Sequence, residues 1–247
     1  MITTHAAHPE ARRHPEVVMQ RSESVLRWIG AIGIAFAPLC IFVIPGLMYS
    51  GTFETNEEQF RAIAEGSHGG YEGQVLQIFG AVFVMAAALG IGGFVIARGR
   101  GRTLGVIGLI IGMLGAITLL LVLGFESAVL IALKSATDTD AAVATAVALF
   151  NGPVFLILLM AGLGGYSLAL PILALALWRS GVLPIIVPLL FLLPPLFSLI
   201  PFSADVPYIV LSLLVLLPCV WATVQLIRPV PVAPVRRRAG AEVSEPT

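Results

Sequence analysis

The sequence predicts an all-α fold, a polytopic transmembrane helix bundle of six spans with both termini cytoplasmic. Three observations predict it. Hydrophobic residues make up 58% of the 247 positions and charged residues 11%, against roughly 45–50% and about 25% in ordinary soluble domains, and the mean hydropathy is +0.98. The apolar residues gather in six stretches, each near the ~20 residues a helix needs to cross a hydrocarbon core of roughly 30 Å. The basic residues fall almost entirely on one side of the resulting layout. Composition also excludes other classes. Fourteen basic against 14 acidic residues leave no excess charge to neutralise phosphates, so nucleic acid is not an expected partner. Low charge with high apolar content is the opposite of the composition that keeps a chain disordered.

The elements follow in order. Residues 1–24 are a polar cytoplasmic tail, in which His8-Pro9-Glu10 and His14-Pro15-Glu16 read as a solvated repeat rather than as metal ligands. The first span, 25–49, starts too far into the chain and is too long for the apolar region of a signal peptide. In the external segment 50–73, Thr55 and Glu58 have capping-box spacing, Phe60, Ile63 and Ala64 give an apolar edge, and Gly66 can end a helix. A short amphipathic helix over 56–65 follows from this. Gly66, Gly69, Gly70 and Gly73 then lead into the second span, 74–97, and an arginine-containing turn joins it to the third, 104–125.

The second external segment, 126–149, holds Asp138 and Asp140, either of which can cap a helix beginning at Ala141. An unbroken helix from Ala141 to Trp178 would be about 57 Å long, too long for one crossing. A break at Asn151-Gly152-Pro153 resolves this, separating an external helix over 141–150 from a fourth span over 150–178. The fifth span, 182–201, is interrupted by Pro184, Pro188, Pro194 and Pro195, and reads as a kinked helix packed inside the bundle. The sixth is 207–227. The tail 228–247 alternates Pro229, Pro231 and Pro234 in extended chain, and its Arg236–Arg238 run suits anionic lipid headgroups.

Orientation comes from the arginines. Arg12, Arg13, Arg21 and Arg27, then Arg98, Arg100 and Arg102, Arg179, and finally Arg228, Arg236, Arg237 and Arg238 all lie on one side of a six-span layout. Only Arg61 and Lys134 lie on the other. The zero net charge is therefore the sum of a basic layer and an acidic one. The expected location is the plasma (inner) membrane, with multiple passes.

Gly80–Phe94 aligns without gaps on Gly152–Tyr166, with identities at Gly80/Gly152, Val82/Val154, Phe83/Phe155, Gly90/Gly162, Gly92/Gly164 and Gly93/Gly165. This is either a duplication of hairpins, spans 2–3 and 4–5, or a convergence of two Gly-rich apolar helices. Gly101, Gly105, Gly108, Gly112 and Gly115 fall within roughly an 80° arc of a helix, a stripe that lets another backbone approach closely. Gly90, Gly92 and Gly93 on the second span, and their counterparts Gly162, Gly164 and Gly165 on the fourth, are expected to do the same. A Gly-Ile-Gly-Gly run inside an apolar helix is not a nucleotide loop, since no strand precedes it and no Lys-Ser/Thr follows.

The spans carry no Asp, Glu, Lys, Arg or His near their midplanes, the residues that proton relays and ion coupling require. No catalytic constellation, cofactor motif or metal spacing is present in the sequence. Cys40 and Cys219 read as small buried hydrophobes. One polar group stands out: Glu126, Asn151, Gln77 and Asp205 map near the outer ends of the spans. They would either line a shallow, externally open pocket or simply mark the membrane boundary and cap helices.

The basic N-terminal tail, the Thr55–Glu65 helix, the Ala97-Arg-Gly-Arg turn and the Leu177-Trp-Arg-Ser-Gly turn before a Pro-rich span make a layout over residues 20–228. That layout resembles a broad group of uncharacterised bacterial six-span integral membrane proteins. The resemblance implies a fold and no activity. The expectation for function is a non-enzymatic membrane protein, an accessory or scaffold component acting by helix–helix contacts. Its partners are the lipid bilayer together with a membrane-protein partner or a second copy. The alternative is a transporter or permease-like protein for an uncharged or hydrophobic solute.

Overall fold

A computed structural model describes residues 14–45, 55–66, 71–193 and 207–228. The regular structure of these residues is helical throughout. Helix α1 is His14–Pro38 and continues as a π-helical turn, Leu39–Val43; α2 is Asn56–Ala64, α3 Tyr71–Arg98 and α4 Arg102–Ser135. Then come α5 (Thr139–Phe150), α6 (Pro153–Arg179), the five-residue α7 (Ile186–Leu190) and α8 (Pro207–Ile227). Four stretches are long and apolar enough to cross a membrane: Ser22–Val43, Gly73–Arg98, Arg102–Ser135 and Pro153–Arg179. The protein thus has the make-up of a membrane-embedded α-helical bundle. Its outer faces agree with this, because Leu114, Val154, Ile157 and Leu217 are each 62–70% exposed. So much contiguous aliphatic surface is foreign to a monomer in water.

Local chemistry explains the helix limits. Thr55 Oγ1 accepts from Glu58 N at 3.2 Å to start α2, and Asp138 Oδ1 accepts from Ala141 N at 3.1 Å to start α5. Gly152 caps α6 and Pro153 follows at its first position, where a missing N–H costs nothing. The widened turn after α1 lies between Pro38 and Pro45. Pro45 has no N–H for the carbonyl four residues back, that of Ile41, and Gln77 Nε2 donates to it at 3.3 Å.

The helices form a ring. Helix α1 packs on α3, α3 on α4, α4 on α6, and α8 returns to α1, while α7 touches both α6 and α8. Glycine sets the closeness of these contacts. A Cβ on Gly33 would lie 2.3 Å from Ala87 N, one on Gly90 2.2 Å from Gly30 N, and one on Gly165 2.6 Å from Gly115 Cα. Backbones meet directly there, which strengthens dispersion contact where lipid removes the hydrophobic incentive to associate. At one end Arg27 donates to Leu226 O at 2.9 Å and also to Arg228 O, tying the end of α8 to α1. The Phe94 ring lies between Arg27 and Arg98, with their guanidinium carbons 5.8 and 5.3 Å from its centroid. We call this the arginine end. The other, carrying α2 and α5, is the capped end.

The aligned segments occupy equivalent places, but in a unit different from the expected one. Gly90 meets Gly30, Gly93 meets Leu26, and Phe83 stacks on Phe36 at 5.3 Å. Their counterparts Gly162, Gly165 and Phe155 meet Leu119, Gly115 and Phe125, the last pair at 5.9 Å. One common offset carries the first set of partners onto the second. The matching unit is long helix, short capped helix, long helix, α1–α2–α3 beside α4–α5–α6, rather than the expected spans 2–3 beside 4–5, because Gly90, Gly93, Gly162 and Gly165 face the preceding long helix; Gly92 differs and faces the following one at Leu109.

Two further expectations change. Helix α4 does not end near residue 125 but runs unbroken to Ser135, about 50 Å in all, so its last turns stand beyond a 30 Å core. Of the expected fifth span, residues 194–201 lie outside the described residues. The described part is a turn at Gly181, where φ is +79°, followed by α7, and Pro184 and Pro188 shorten any helix there.

Candidate functional site at the capped end

The capped end is built from α2, α5 and the ends of α4 and α6. Phe60, Ile63, Leu130, Leu133, Val143, Ala146 and Phe150 form a small core separate from that of the main bundle. Four rings run through it. Phe60 meets Phe150 edge-on at 4.8 Å, Phe150 meets Phe155 at 4.5 Å, and Phe155 meets Phe125 at 5.9 Å. One aromatic chain thus joins α2, α5, α6 and α4. Above it, Arg61 Nη1 donates to Asp140 Oδ1 at 2.7 Å, and Arg61 Nη2 lies 3.5 Å from Glu57 Oε1. The Asp140 carboxylate, with Glu57 beside it, raises the Arg61 guanidinium further above its ordinary range.

Beside the rings is an apolar hollow of about 390 Å³, lined by Leu121, Phe125, Leu149, Val154, Phe155 and Leu158. A second hollow of about 340 Å³ lies between α4 and α5, lined by Val129, Leu133, Ala142, Thr145 and again Leu149. Leu149 borders both hollows. Their lining is apolar apart from Thr145, whose hydroxyl already donates to Ala141 O at 2.8 Å.

The expected polar group does not come together as a cluster. Gln77 turns to Ile41 O in the π-helical turn after α1. Asn151 is exposed at the corner between α5 and α6. Asp205 lies outside the described residues. Glu126 stands alone on the helical face that also carries Leu119, Leu123, Leu130 and Leu133; it is half-buried and has no ion pair with a described residue. Its neighbour Ser127 donates to Leu123 O at 2.7 Å and lies 3.4 Å from Gln74 Oε1, and Gln74 is itself buried. The boundary-and-capping reading therefore describes Gln77 and Asn151 better than a shared pocket does.

The packing glycines divide differently from the expectation. Gly105, Gly108, Gly112 and Gly115 face Val95, Leu173, Ala88 and Gly165, respectively, and Gly92 faces Leu109. Gly101 is not part of the helical stripe: it is the N-cap of α4 with φ +79°, and a Cβ there would meet Ala176 O at 2.8 Å. Gly164 is not a packing glycine, because a Cβ added there would meet no neighbouring helix within 4 Å. Gly30, Gly33 and Gly80 are packing positions that sequence reasoning missed. The spacing of Gly30, Gly33 and Ala37 on one face of α1 was the available signal.

Halfway along α6, a second missed group sits in the core. The Tyr166 hydroxyl is buried without a hydrogen-bond partner among the described residues; its ring lies 5.8 Å from that of Phe42, and Cys219 is close by. Among the described residues no three His, Cys, Asp or Glu side chains group together as they would to hold a metal ion. No family model, curated protein or solved structure matches the chain.

Proposed function

We propose that the chain is a six-span protein of the plasma membrane with both termini cytoplasmic, acting as a non-enzymatic accessory or scaffold component through helix contacts. The observation that carries this reading is the close packing of helix on helix among the described residues. Glycines such as Gly33, Gly90, Gly115 and Gly165 bring backbones together along the bundle axis, leaving broad aliphatic faces on α4, α6 and α8 as the surfaces able to meet another protein. The arginine distribution supports the orientation, because Arg27, Arg98, Arg100, Arg102, Arg179 and Arg228 share one end. Copurification from native membranes tests the role: a stoichiometric membrane-protein partner is the expected result, and a chain recovered alone with a bound solute would refute it. Cysteines placed at 56 and 137 should label from outside and one at 100 should not; the opposite pattern would reverse the topology.

A second reading, a permease-like protein for a hydrophobic solute, draws on the apolar hollow and on the unpaired Tyr166 hydroxyl in the core. It expects a solute bound to the purified protein.

A further inference from the structure

The arginine end carries more charge than orientation alone requires. Among the side chains described there, Arg27, Arg98, Arg100, Arg102, Arg179 and Arg228 meet one carboxylate, Glu23. None of these guanidiniums forms an ion pair with a described carboxylate. Arg100 and Arg102 lie in and beside the turn after α3, where basic residues suffice to fix topology. Arg27 and Arg98 are placed differently. Arg27 continues the buried face of α1 that holds Ala31 and Ile34, and Arg98 continues the face of α3 that holds Ile91, Phe94 and Val95. Both therefore stand over one end of the main core.

Each is also held in position. Arg27 is half-buried and donates from Nε and Nη2 to Leu226 O, and from Nη2 to Arg228 O. The buried Phe94 ring holds both guanidiniums against it. Arg98 is exposed and makes no side-chain hydrogen bond to a described residue, so its donors remain available. It lies close enough to Arg27 for the two charges to repel, while Glu23, one turn earlier on α1, attracts Arg27 without pairing with it. Like charges fixed in this way suit an anion with several oxygens. The height of the pair points to the source of that anion. Trp28 and Trp178, the chain neighbours of Arg27 and Arg179, are exposed, and tryptophan so placed marks the headgroup level of a bilayer, where phosphates are dense.

We propose that Arg98, with Arg27 beside it, binds the phosphate of a lipid headgroup of net negative charge. A planar guanidinium offers two parallel N–H donors to phosphate oxygens, and the surrounding arginines repel a headgroup that also carries a cation. The inference goes beyond the scaffold reading. It rests on α1 and α3 crossing the membrane, and not on which side the arginine end faces.

The test is native mass spectrometry of the full-length protein, titrated in detergent with phosphatidylglycerol or with phosphatidylcholine of the same acyl chains. Phosphatidylglycerol should bind about tenfold more tightly, and equal affinities would overturn the proposal. Arg98→Gln should weaken phosphatidylglycerol about tenfold, the loss of one charge-assisted contact, whereas Arg100→Gln should change it less than about twofold. The two variants remove the same charge, so equal losses would reduce the end to a diffuse cationic surface and overturn the site. Arg98→Lys keeps a cation over Phe94 without the two-pronged donor. It serves if the first variant does not fold, and should still weaken binding about threefold; wild-type affinity there would overturn the assignment too. Inorganic phosphate at constant ionic strength should leave phosphatidylglycerol bound. Its displacement would assign the site to a soluble phosphate and overturn the lipid as source. These affinities are read without a protein partner, so the scaffold reading stands or falls separately.

Discussion

Arg61 and Asp140 form an ion pair at 2.7 Å that joins the two short helices of the repeat, α2 and α5, across the capped end. Both side chains are well exposed, so water and salt screen the pair. Beneath it, the contact of Phe60 with Phe150 is apolar and sheltered. The two interactions should therefore differ in weight and in salt response.

Charge reversal separates them. Arg61→Asp should lower the melting temperature slightly in low salt, Asp140→Arg in the same chain should restore it, and about 1 M salt should abolish the difference. A defect unchanged by salt would mean that the pair is not electrostatic in effect.

Phe60→Ala should cost about 3 kcal/mol or more locally, as expected for a deleted buried aromatic. Hydrogen exchange should accelerate in 56–64 and 139–150 while α3 and the first turns of α4 stay protected. Uniform acceleration would show that the small core and the main bundle melt as one unit.

The glycines give a paired contrast. Gly33→Leu must displace backbone, since even a Cβ would lie 2.3 Å from Ala87 N, and should destabilise by about 3 kcal/mol, the upper part of the usual overpacking range. Gly164→Leu meets open space and should fold as wild type. Similar thermal stability for both variants would contradict the packing described.

Gln77→Leu leaves the Ile41 carbonyl without its donor and should cost about 0.6–2 kcal/mol, the range for hydrogen bonds between membrane helices. Pro45→Ala supplies a backbone N–H in its place, so Gln77→Leu should cost measurably less in that background. Additive losses in the double variant would show that the Gln77 bond serves some other purpose.

Tyr166→Phe removes a hydroxyl that has no partner among the described residues. The variant should be as stable as wild type or more so, by up to about 1 kcal/mol, because an unpaired buried polar group is a liability. A clear loss of stability, or of bound solute from the purified protein, would reveal a partner for that hydroxyl.

Local chemistry made several parts of this protein legible. Thr55 with Glu58, Asp138 before Ala141 and Asn151-Gly152-Pro153 act within a few residues of themselves, and the helices begin and break beside them. The hydrophobic stretches likewise state their own length. The polar group at the span ends was less legible. Position along a helix places Glu126, Gln77 and Asn151 at similar heights, but height alone does not say which neighbour each side chain meets. Gln77 went to Ile41 because Pro45 leaves that carbonyl open, a need that arises only once α1 and α3 are side by side.

The sequence by itself determined the helical, apolar character of the bundle, its main helix breaks and the Gly-rich faces. The tertiary structure alone decided that α1 pairs with α3 and α4 with α6, that Gly162 packs while Gly164 faces open space, and that Phe125 and Phe155 border a hollow. The reason lies in the solvent such helices are built for. In water, polarity marks which face of a helix turns inward; among lipid tails both faces are apolar, and close fit between distant segments makes the choice.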